Sequence, residues 1–162
     1  MTAYDIVLLH PPSIYDFRRR VVFPGPIAHT VPESGPQFMV FPIGLVSIAE
    51  YLKRNGFKVK IINLCEIMVK NPNSDVERLL GELYSKVYGI DLHWCVHTQG
   101  AIEIARLCKK LHPESKVILG GLTATKFHVE ILREFPFVDG VIRGEAEKPL
   151  LKFMESIDQS MG

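Results

Sequence analysis

The segment from Asp91 to His97 carries a dense set of chemically versatile side chains. Within seven residues it holds one carboxylate, two imidazoles, one thiol and the only tryptophan of the chain. Singly, a histidine is more often a hydrogen-bonded core or surface residue than a ligand, and a tryptophan more often packs. Together at the end of a predicted strand, Asp91, His93, Trp94 and His97 favour a binding site.

A metal centre is one alternative for this segment, because Asp91, His93 and His97 can all bind metal ions. Histidines four residues apart can share one face of a helix, but the glutamate that zinc proteases carry between them is missing here. The pair also straddles a predicted strand end and turn. The sequence therefore does not favour a metal centre, and it predicts no catalytic residue.

Three other short segments have unusual compositions: His10-Pro11-Pro12, Gly120-Gly121-Leu122-Thr123 and Gly144-Glu145-Ala146-Glu147. The glycine pair removes two side chains where the backbone turns sharply or approaches a flat ligand, and Thr123 can cap the next helix or donate to a polar group. Glu145 can accept hydrogen bonds from ligand amides or hydroxyls. A plain βα turn and an acidic first helical turn remain the structural alternatives.

The elements that would position these segments alternate regularly along the chain. Five short apolar runs rich in β-branched residues alternate with helix-like segments, a rhythm typical of a parallel sheet buried on both faces. The predicted strands span residues 6–9, 59–64, 87–92, 116–119 and 138–142. Because such sheets bind ligands outside the carboxyl ends of their strands, all four unusual segments fall where a ligand is expected.

Five helices are predicted from apolar residues at helical spacing. The first runs from Pro42 to a stop at Gly56, and the second begins at the capping box Ser74-x-x-Glu77. The third spans residues 98–111 and places Cys108 in the core. The fourth spans 123–134, with Phe127, Ile131 and Leu132 facing inward, and the fifth spans 146–157.

Composition narrows the class of protein. Apolar residues make up 47% of the chain and charged residues 23%, as in an ordinary globular domain. A net charge of +1 gives no broad basic field for nucleic acid, and Arg18, Arg19 and Arg20 form the one basic run that could contact phosphate or acidic groups. Three widely spaced cysteines favour a reducing cytoplasm, and the first strand has no basic leader, so neither secretion nor a membrane segment is expected.

One long stretch, residues 13–41, lacks periodicity and contains Pro24, Pro26, Pro32 and Pro36. A stretch of this length without secondary structure is uncommon in a compact domain and is often a lid or binding loop. Residues 1–162 are otherwise expected to form a single domain.

Five motifs follow one another in a distinctive order. They are Pro11-Pro12 after the first strand, Pro42-Ile43-Gly44-Leu45-x-x-Ile48-Ala49-x-x-Leu52-x-x-x-Gly56, Gly89-Ile90-Asp91, Pro113-x-x-Lys116-Val117-Ile118-Leu119-Gly120-Gly121 and Val138-Asp139-x-Val141-Ile142-Arg143-Gly144-Glu145-x-Glu147. This set spans nearly the whole chain and resembles the N-terminal cobalamin-binding domain of radical S-adenosylmethionine proteins.

The resemblance implies a flavodoxin-like, Rossmann-like three-layer α/β sandwich with strand order 2-1-3-4-5. It implies that the corrinoid lies over the carboxyl edge of the sheet and that its nucleotide tail reaches down beside the sheet. Gly120, Gly121 and Thr123 would then line the tail, and Leu122 in the same segment is also expected to bind the cofactor. The ring or its amides would meet the other three segments, through His10, Pro11, Pro12, Asp91, His93, Trp94, His97, Gly144 and Glu145.

Two departures from related proteins matter. Cobalamin mutases and methionine synthases carry Asp-x-His-x-x-Gly after the first strand, whose histidine is the lower ligand of cobalt; this chain has His10-Pro11-Pro12 there, so cobalamin is expected to bind without a histidine lower ligand. The chain also lacks the Cys-x-x-x-Cys-x-x-Cys spacing that holds a 4Fe-4S cluster. The cluster, S-adenosylmethionine and the reaction are therefore expected in a barrel domain that follows in the same polypeptide. This chain would then be an excised fragment of that longer protein.

Other functions remain open. A flavodoxin-like domain could bind a different nucleotide, although Pro11 and Pro12 stand where a glycine-rich phosphate loop is expected and proline offers no N–H. The fold could also serve as an interaction scaffold without cobalamin. A response-regulator-like domain would need clustered acidic residues at the end of the first strand, where His10 stands instead.

Overall fold

The strands of the computed structural model, which describes residues 4–19 and 42–160, assemble into one sheet. The described strands are β1 (Tyr4–His10), β2 (Val59–Asn63), β3 (Ser85–Asp91), β4 (Lys116–Gly120) and β5 (Gly140–Ile142). All neighbouring pairs are parallel and the order is β2-β1-β3-β4-β5. This confirms the predicted flavodoxin-like topology.

Helices cover both faces of this sheet. The described helices are α1 (Ile43–Arg54), α2 (Leu64–Lys70), α3 (Val76–Glu82), α4 (Thr98–Leu111), α5 (Leu122–Lys126), α6 (His128–Glu134) and α7 (Glu147–Ser160). Side chains alternate between the faces along each strand. Val7 and Leu9 of β1 therefore pack with α2, α3 and α4 on what we term the closed face, whereas Ile6 and Leu8 pack with α1 and α7.

Helix α4 has the predicted bounds, and Cys108 is fully buried in its core-facing stripe. Helix α2 was not predicted, and the strand predicted at residues 59–64 included its first residue, Leu64. The strand ends one residue earlier than expected, at Asn63, whose side chain accepts a hydrogen bond from the Glu66 N–H and caps α2.

Helix α3 corrects a second prediction, since Asp75 rather than Ser74 is its N-cap. The Asp75 carboxylate accepts the Arg78 N–H at 2.9 Å. Ser74 is used differently, because its carbonyl and its hydroxyl both accept hydrogen bonds from Arg18.

The predicted fourth helix is divided at Phe127 into α5 and α6. Ile131 is buried as predicted, but Phe127 and Leu132 are 48% and 43% exposed, so their inward orientation was wrong. The prediction assumed one continuous helix, in which apolar residues at a 3.6-residue period share one face. The break at Phe127 changes the direction of that face.

Most of the predicted loop at residues 13–41, including its four prolines and Arg20, lies outside the described residues. Among the described helices, none is both long enough and apolar enough to cross a lipid bilayer.

Candidate functional site

A cavity of about 450 Å³ lies beside the carboxyl ends of β1, β3, β4 and β5, on the face that α1 and α7 cover. We term this side the cavity face. Its floor contains two rows of side chains. The inner row is Leu8, Gly89 and Ile118, which pair in register across β1, β3 and β4. The outer row, two residues closer to the sheet edge, is His10, Asp91 and Gly120.

The inner row is apolar and is enclosed by helical side chains. Leu45 and Ile48 of α1 and Leu150 of α7 line the cavity beside it. Leu8 and Ile118 are almost fully buried. Gly89 exposes no side chain, and a Cβ placed there would lie 2.8 Å from the Leu8 Cδ2 atom. The interior of the cavity therefore suits an apolar group.

The outer row supplies the polar chemistry. His10 Nδ1 lies 2.9 Å from Asp91 Oδ2, and the two side chains are 2% and 16% exposed. The other Asp91 oxygen accepts the His93 N–H at 3.1 Å. His10 Nε2 is buried and has no hydrogen-bond partner among the described residues, which is costly for a polar atom away from water.

The two glycines after β4 have different roles. A Cβ on Gly120 would stay about 4.0 Å from Ile142, so the missing side chain there leaves cavity space. Gly121 has a φ of +108°, and a Cβ there would lie 2.7 Å from the backbone of His93. Gly121 is thus required for the turn and for packing against the loop after β3, while Gly120 opens the cavity.

The mouth of the cavity combines apolar and acidic side chains. Ile43, Trp94 and Leu122 line it and are each at least half exposed. Glu145 and Glu147 also line it, and the Glu147 carboxylate accepts a hydrogen bond from the Ser47 hydroxyl at 3.0 Å, which links α7 to α1.

Helix α1 begins at this mouth. Its N-cap residue, Pro42, makes no side-chain capping hydrogen bond, and its first turn contains no acidic residue. No carboxylate within the first turn of α1 itself compensates the positive end of the helix dipole, so this end favours a negatively charged group such as phosphate. The Glu147 carboxylate contacts Ser47, farther along the helix.

The structure brings nine predicted site residues to the cavity: His10, Asp91, His93, Trp94, Gly120, Gly121, Leu122, Gly144 and Glu145. It places the other four elsewhere in the described fold. Thr123 does not cap α5; its backbone N–H and its hydroxyl both donate to the His93 carbonyl, at 3.2 and 2.9 Å. His97 is fully buried ahead of α4 and packs edge to face on His10, with ring centroids 5.0 Å apart.

Pro11 and Pro12 are buried under the start of α4. A Cβ on Gly100 would lie only 1.8 Å from the Pro12 carbonyl oxygen, and the Gly100 N–H donates to the Ser13 carbonyl at 3.0 Å. Gln99 holds the same loop by pairing with both backbone groups of Tyr15. The prolines therefore fix the path of the loop. Its Pro12 and Ser13 carbonyls lie against Gly100 in the first turn of α4, and the Ser13 carbonyl accepts the Gly100 N–H.

Sequence reasoning missed the apolar part of the site. That part includes Leu8, Leu45, Ile48, Gly89, Ile118, Ile142 and Leu150, all of which line the cavity. One available signal was Gly89, because a glycine in the middle of a buried strand marks a bend or a place where another group approaches closely.

Arg18, in the basic run predicted to contact phosphate or acidic groups, is used within the fold itself. Its guanidinium forms a clasp with Asp16, the Pro72 carbonyl and Ser74. The hydrogen bond from Arg18 lowers the pKa of the Asp16 carboxyl. Arg19 is largely exposed.

The metal-centre alternative has no geometric support in the described part of the chain. There, no three histidine, cysteine, aspartate or glutamate side chains converge closely enough to hold a metal ion. Asp91 pairs with His10 instead, and His97 packs against the His10 ring without lining the cavity.

Comparison with known proteins gives several similar proteins, each much longer than this chain. An anaerobic magnesium-protoporphyrin IX monomethyl ester cyclase of Rubrivivax gelatinosus is 27% identical over 123 residues, which are 73% of this chain and 21% of the cyclase. An uncharacterised methyltransferase of Pyrococcus horikoshii is 28% identical over 159 residues, 98% of this chain and 30% of that protein. A cytidylyl-2-hydroxyethylphosphonate methyltransferase of Streptomyces wedmorensis is 25% identical over 170 residues, 96% of this chain and 29% of the enzyme.

A solved structure has the same fold. The radical S-adenosylmethionine methyltransferase TsrM from Kitasatospora setae superimposes with a TM-score of 0.66 at 15% identity, covering 96% of this chain and 26% of TsrM. This chain therefore spans less than a third of the length of these relatives. The family model for the B12 binding domain matches residues 36–153, more than half of the chain. The chain belongs to the B12-binding domain family, as its ordered motifs predicted.

Proposed function

We propose that this domain binds cobalamin with the nucleotide tail in the cavity and the corrin ring over the carboxyl edge of the sheet. The observation that carries the proposal is the cavity itself, an apolar slot between α1, α7 and the sheet that opens to a mouth of apolar and acidic side chains. Its volume of about 450 Å³ lies within the range of small-molecule sites. The slot fits an aromatic base, and the mouth fits the amides of a corrin.

Three features support this fit. The bare α carbon of Gly120 leaves room beside Ile142. The N-terminus of α1 favours the phosphate that joins the tail to the ring. His10 Nε2 is a buried nitrogen with no partner among the described residues, at the level where the tail would pass into the slot, and a ligand group could satisfy it.

When bound, a corrinoid supplies a cobalt centre that can carry a methyl group or exchange electrons. The contribution of this chain is to hold and orient it. Trp94 and Leu122 offer exposed apolar surface to the ring, and Glu145 can accept hydrogen bonds from its amides. Asp91 fixes the His10 ring and the His93 backbone through hydrogen bonds, so the polar side chains of the outer row keep one orientation.

We further propose that the domain presents the corrinoid to a radical S-adenosylmethionine barrel in the same polypeptide, for methyl transfer or related radical chemistry. Support comes from the similar proteins, which are more than three times longer than the matched region. The S-adenosylmethionine and 4Fe-4S cluster would then belong to that barrel.

A titration of the purified domain with hydroxocobalamin tests the first proposal. Visible absorption reports the state of the lower ligand, and quenching of Trp94, the only tryptophan, gives the affinity. Saturable binding with a base-off spectrum is expected. A spectrum of nitrogen-coordinated cobalt would mean either that the cofactor's own base stays on cobalt, which contradicts a tail in the cavity, or that His10 or His93 binds cobalt. Nitrogen coordination that persists with cobinamide, which lacks the lower base, would contradict the expected absence of a histidine ligand. A failure to bind would contradict the proposal itself.

Another nucleotide is the second candidate, and the N-terminus of α1 is the observation that favours it, because any phosphate could bind there. The N-terminus of α4 offers no second phosphate site, since Ser13 already accepts the Gly100 N–H. Titration with FMN and ATP separates the two candidates. Tight binding of either, with no binding of cobalamin, would favour this reading.

A further inference from the structure

The inner part of the cavity holds no side-chain hydrogen-bonding group among the described residues. Its walls are the inner row together with Leu45, Ile48 and Leu150. The backbone beneath the inner row is engaged in the parallel ladder, where Leu8 pairs with Gly89 and Gly89 pairs with Ile118. A group that enters this part of the cavity therefore meets apolar surface on every described side.

The polar groups lie farther out. His10 and Asp91 stand two residues beyond the inner row, which corresponds to roughly 6–7 Å along a strand. His93, Glu145 and Glu147 lie on the loops and helix start at the mouth. These side chains can contact a ribose, a phosphate or corrin amides, but the base at the end of a tail would lie past them.

We propose that this inner part selects among corrinoids by their lower base, and that it prefers an apolar methylated benzimidazole to a purine. The inference rests on the proposed function, which places the tail in the cavity. Adenine carries an amino group and several ring nitrogens that are hydrogen-bonded in water. Buried against Leu8, Ile118 and Leu150, those groups would lose water without gaining partners. Dimethylbenzimidazole has only the one free imidazole nitrogen that adenine also has, and in place of the other polar groups it carries two methyl groups, which gain from burial.

The test compares three corrinoids: cobalamin, the corresponding cobamide with adenine as lower base, and cobinamide, which has no nucleotide tail. All three are used in their dicyano forms, because cyanide then holds both axial positions and the base of the two corrinoids that carry one is detached from cobalt. Quenching of Trp94 gives the three affinities with the same wild-type chain. We expect the adenine cobamide to bind roughly tenfold or more weakly than cobalamin.

Each other outcome has a distinct meaning. Equal affinity for cobalamin and the adenine cobamide, with cobinamide much weaker, overturns the selectivity and leaves the proposed function intact. Equal affinity for all three places the tail outside the cavity and overturns the selectivity together with that placement. If none of the three binds, the proposed function fails and the selectivity fails with it.

A substitution inside the cavity then tests which residues select. Ile48 is only partly buried and lines the inner part, so Ile48→Gln adds a donor and an acceptor at a tolerant helix position. The ratio of the two affinities should fall by roughly threefold or more. Val46→Gln is the matched control, because Val46 is on the same helix, is exposed and does not line the cavity. An unchanged ratio in a folded Ile48→Gln protein would contradict the assignment of selection to this surface.

Discussion

The closed face and the cavity face are built from neighbouring residues of the same strands, but they differ at the carboxyl ends of those strands, where the cavity described above opens on the cavity face. On the closed face, Leu9, Ile90 and Leu119 form a row of large side chains, all essentially buried. On the cavity face, the rows one residue before and one residue after contain Gly89 and Gly120. The comparison indicates that the missing side chain of Gly120 leaves room for a ligand on one face, whereas the Leu8 side chain fills the space beside Gly89.

Glycine also serves the closed face, but in the opposite way. Gly100 in α4 lets the helix approach the loop after β1 so closely that the Pro12 carbonyl lies where a Cβ would be. A glycine on the closed face thus removes space between elements, whereas Gly120 on the cavity face preserves it. The following predictions use this difference, beginning with the largest expected effect.

Gly100→Ala should damage the fold severely. The added Cβ would stand 1.8 Å from the Pro12 oxygen and 2.9 Å from its carbonyl carbon, both backbone atoms, so the helix and the loop must separate. We expect a loss of about 3 kcal/mol or more in the free energy of unfolding. Urea denaturation followed by circular dichroism measures it.

Gly81→Ala is the matched control for that substitution. Gly81 is an exposed helical glycine in α3, and a Cβ there would make only an ordinary contact, 3.9 Å from Leu111. Alanine should raise the free energy of unfolding by about 0.5–1 kcal/mol. If both variants changed stability by the same amount and sign, the close approach of α4 to the loop would not be what makes Gly100 necessary.

Gly120→Val should reduce cobalamin binding while leaving the fold intact. Valine suits a strand, and the first added carbon has about 4.0 Å of room, but the side chain fills space that the tail would use. The dissociation constant should rise by roughly tenfold or more, the equivalent of an overpacking cost of about 1–3 kcal/mol. Cobalamin titration and thermal melting of the same preparation measure both properties.

A graded series strengthens the experiment on Gly120, because Gly120→Ala should weaken binding less than Gly120→Val. Gly121 is unsuitable for the purpose, since its positive φ and its contact with His93 make any side chain disruptive regardless of the ligand. Unchanged affinity in a folded Gly120→Val protein would show that the tail does not pass this residue.

The sheet order and the strand ends could be predicted because apolar runs and turn residues are local signals. The topology of such folds then brings the ends of β1 and β3 together, so His10 and Asp91 were expected at one edge although they are 81 residues apart. What the pattern did not contain was the hydrogen bond between them. That contact depends on side-chain orientation at the edge, which the chain-order argument does not specify.

The apolar side chains of the inner part of the cavity were not predicted, for a related reason. A strand buried on both faces shows a continuous apolar run, so Leu8 and Leu9 look equivalent in sequence even though one lines the cavity and the other packs on the closed face. His97, by contrast, was predicted at the site because it is close to Trp94 along the chain. In the structure, the helical turn at Cys95–His97 places its side chain against the His10 ring.

The smallest expected effect concerns the three cysteines, which lie both in the buried core of the closed face and at the exposed mouth of the cavity. Cys65 in α2 and Cys108 in α4 are buried, while Cys95 is exposed next to Trp94 at the cavity mouth. Burial raises the pKa of the Cys65 thiol to about 12 and also raises that of Cys108. At pH 9, roughly one Cys65 thiol in a thousand is therefore ionised in the folded protein, and only the thiolate reacts.

Labelling with a thiol reagent should accordingly modify one cysteine quickly in the native protein and all three in urea. Saturating cobalamin should slow the fast reaction several-fold if the corrin ring covers Trp94, and mass mapping assigns the modified residue. Rapid labelling of Cys65 or Cys108 at pH 9 would mean that the closed face opens more readily than its packing indicates. Unchanged labelling of Cys95 with cobalamin bound would instead place the ring away from the loop after β3, leaving the slot between α1 and α7 as the part of the site that holds the ligand.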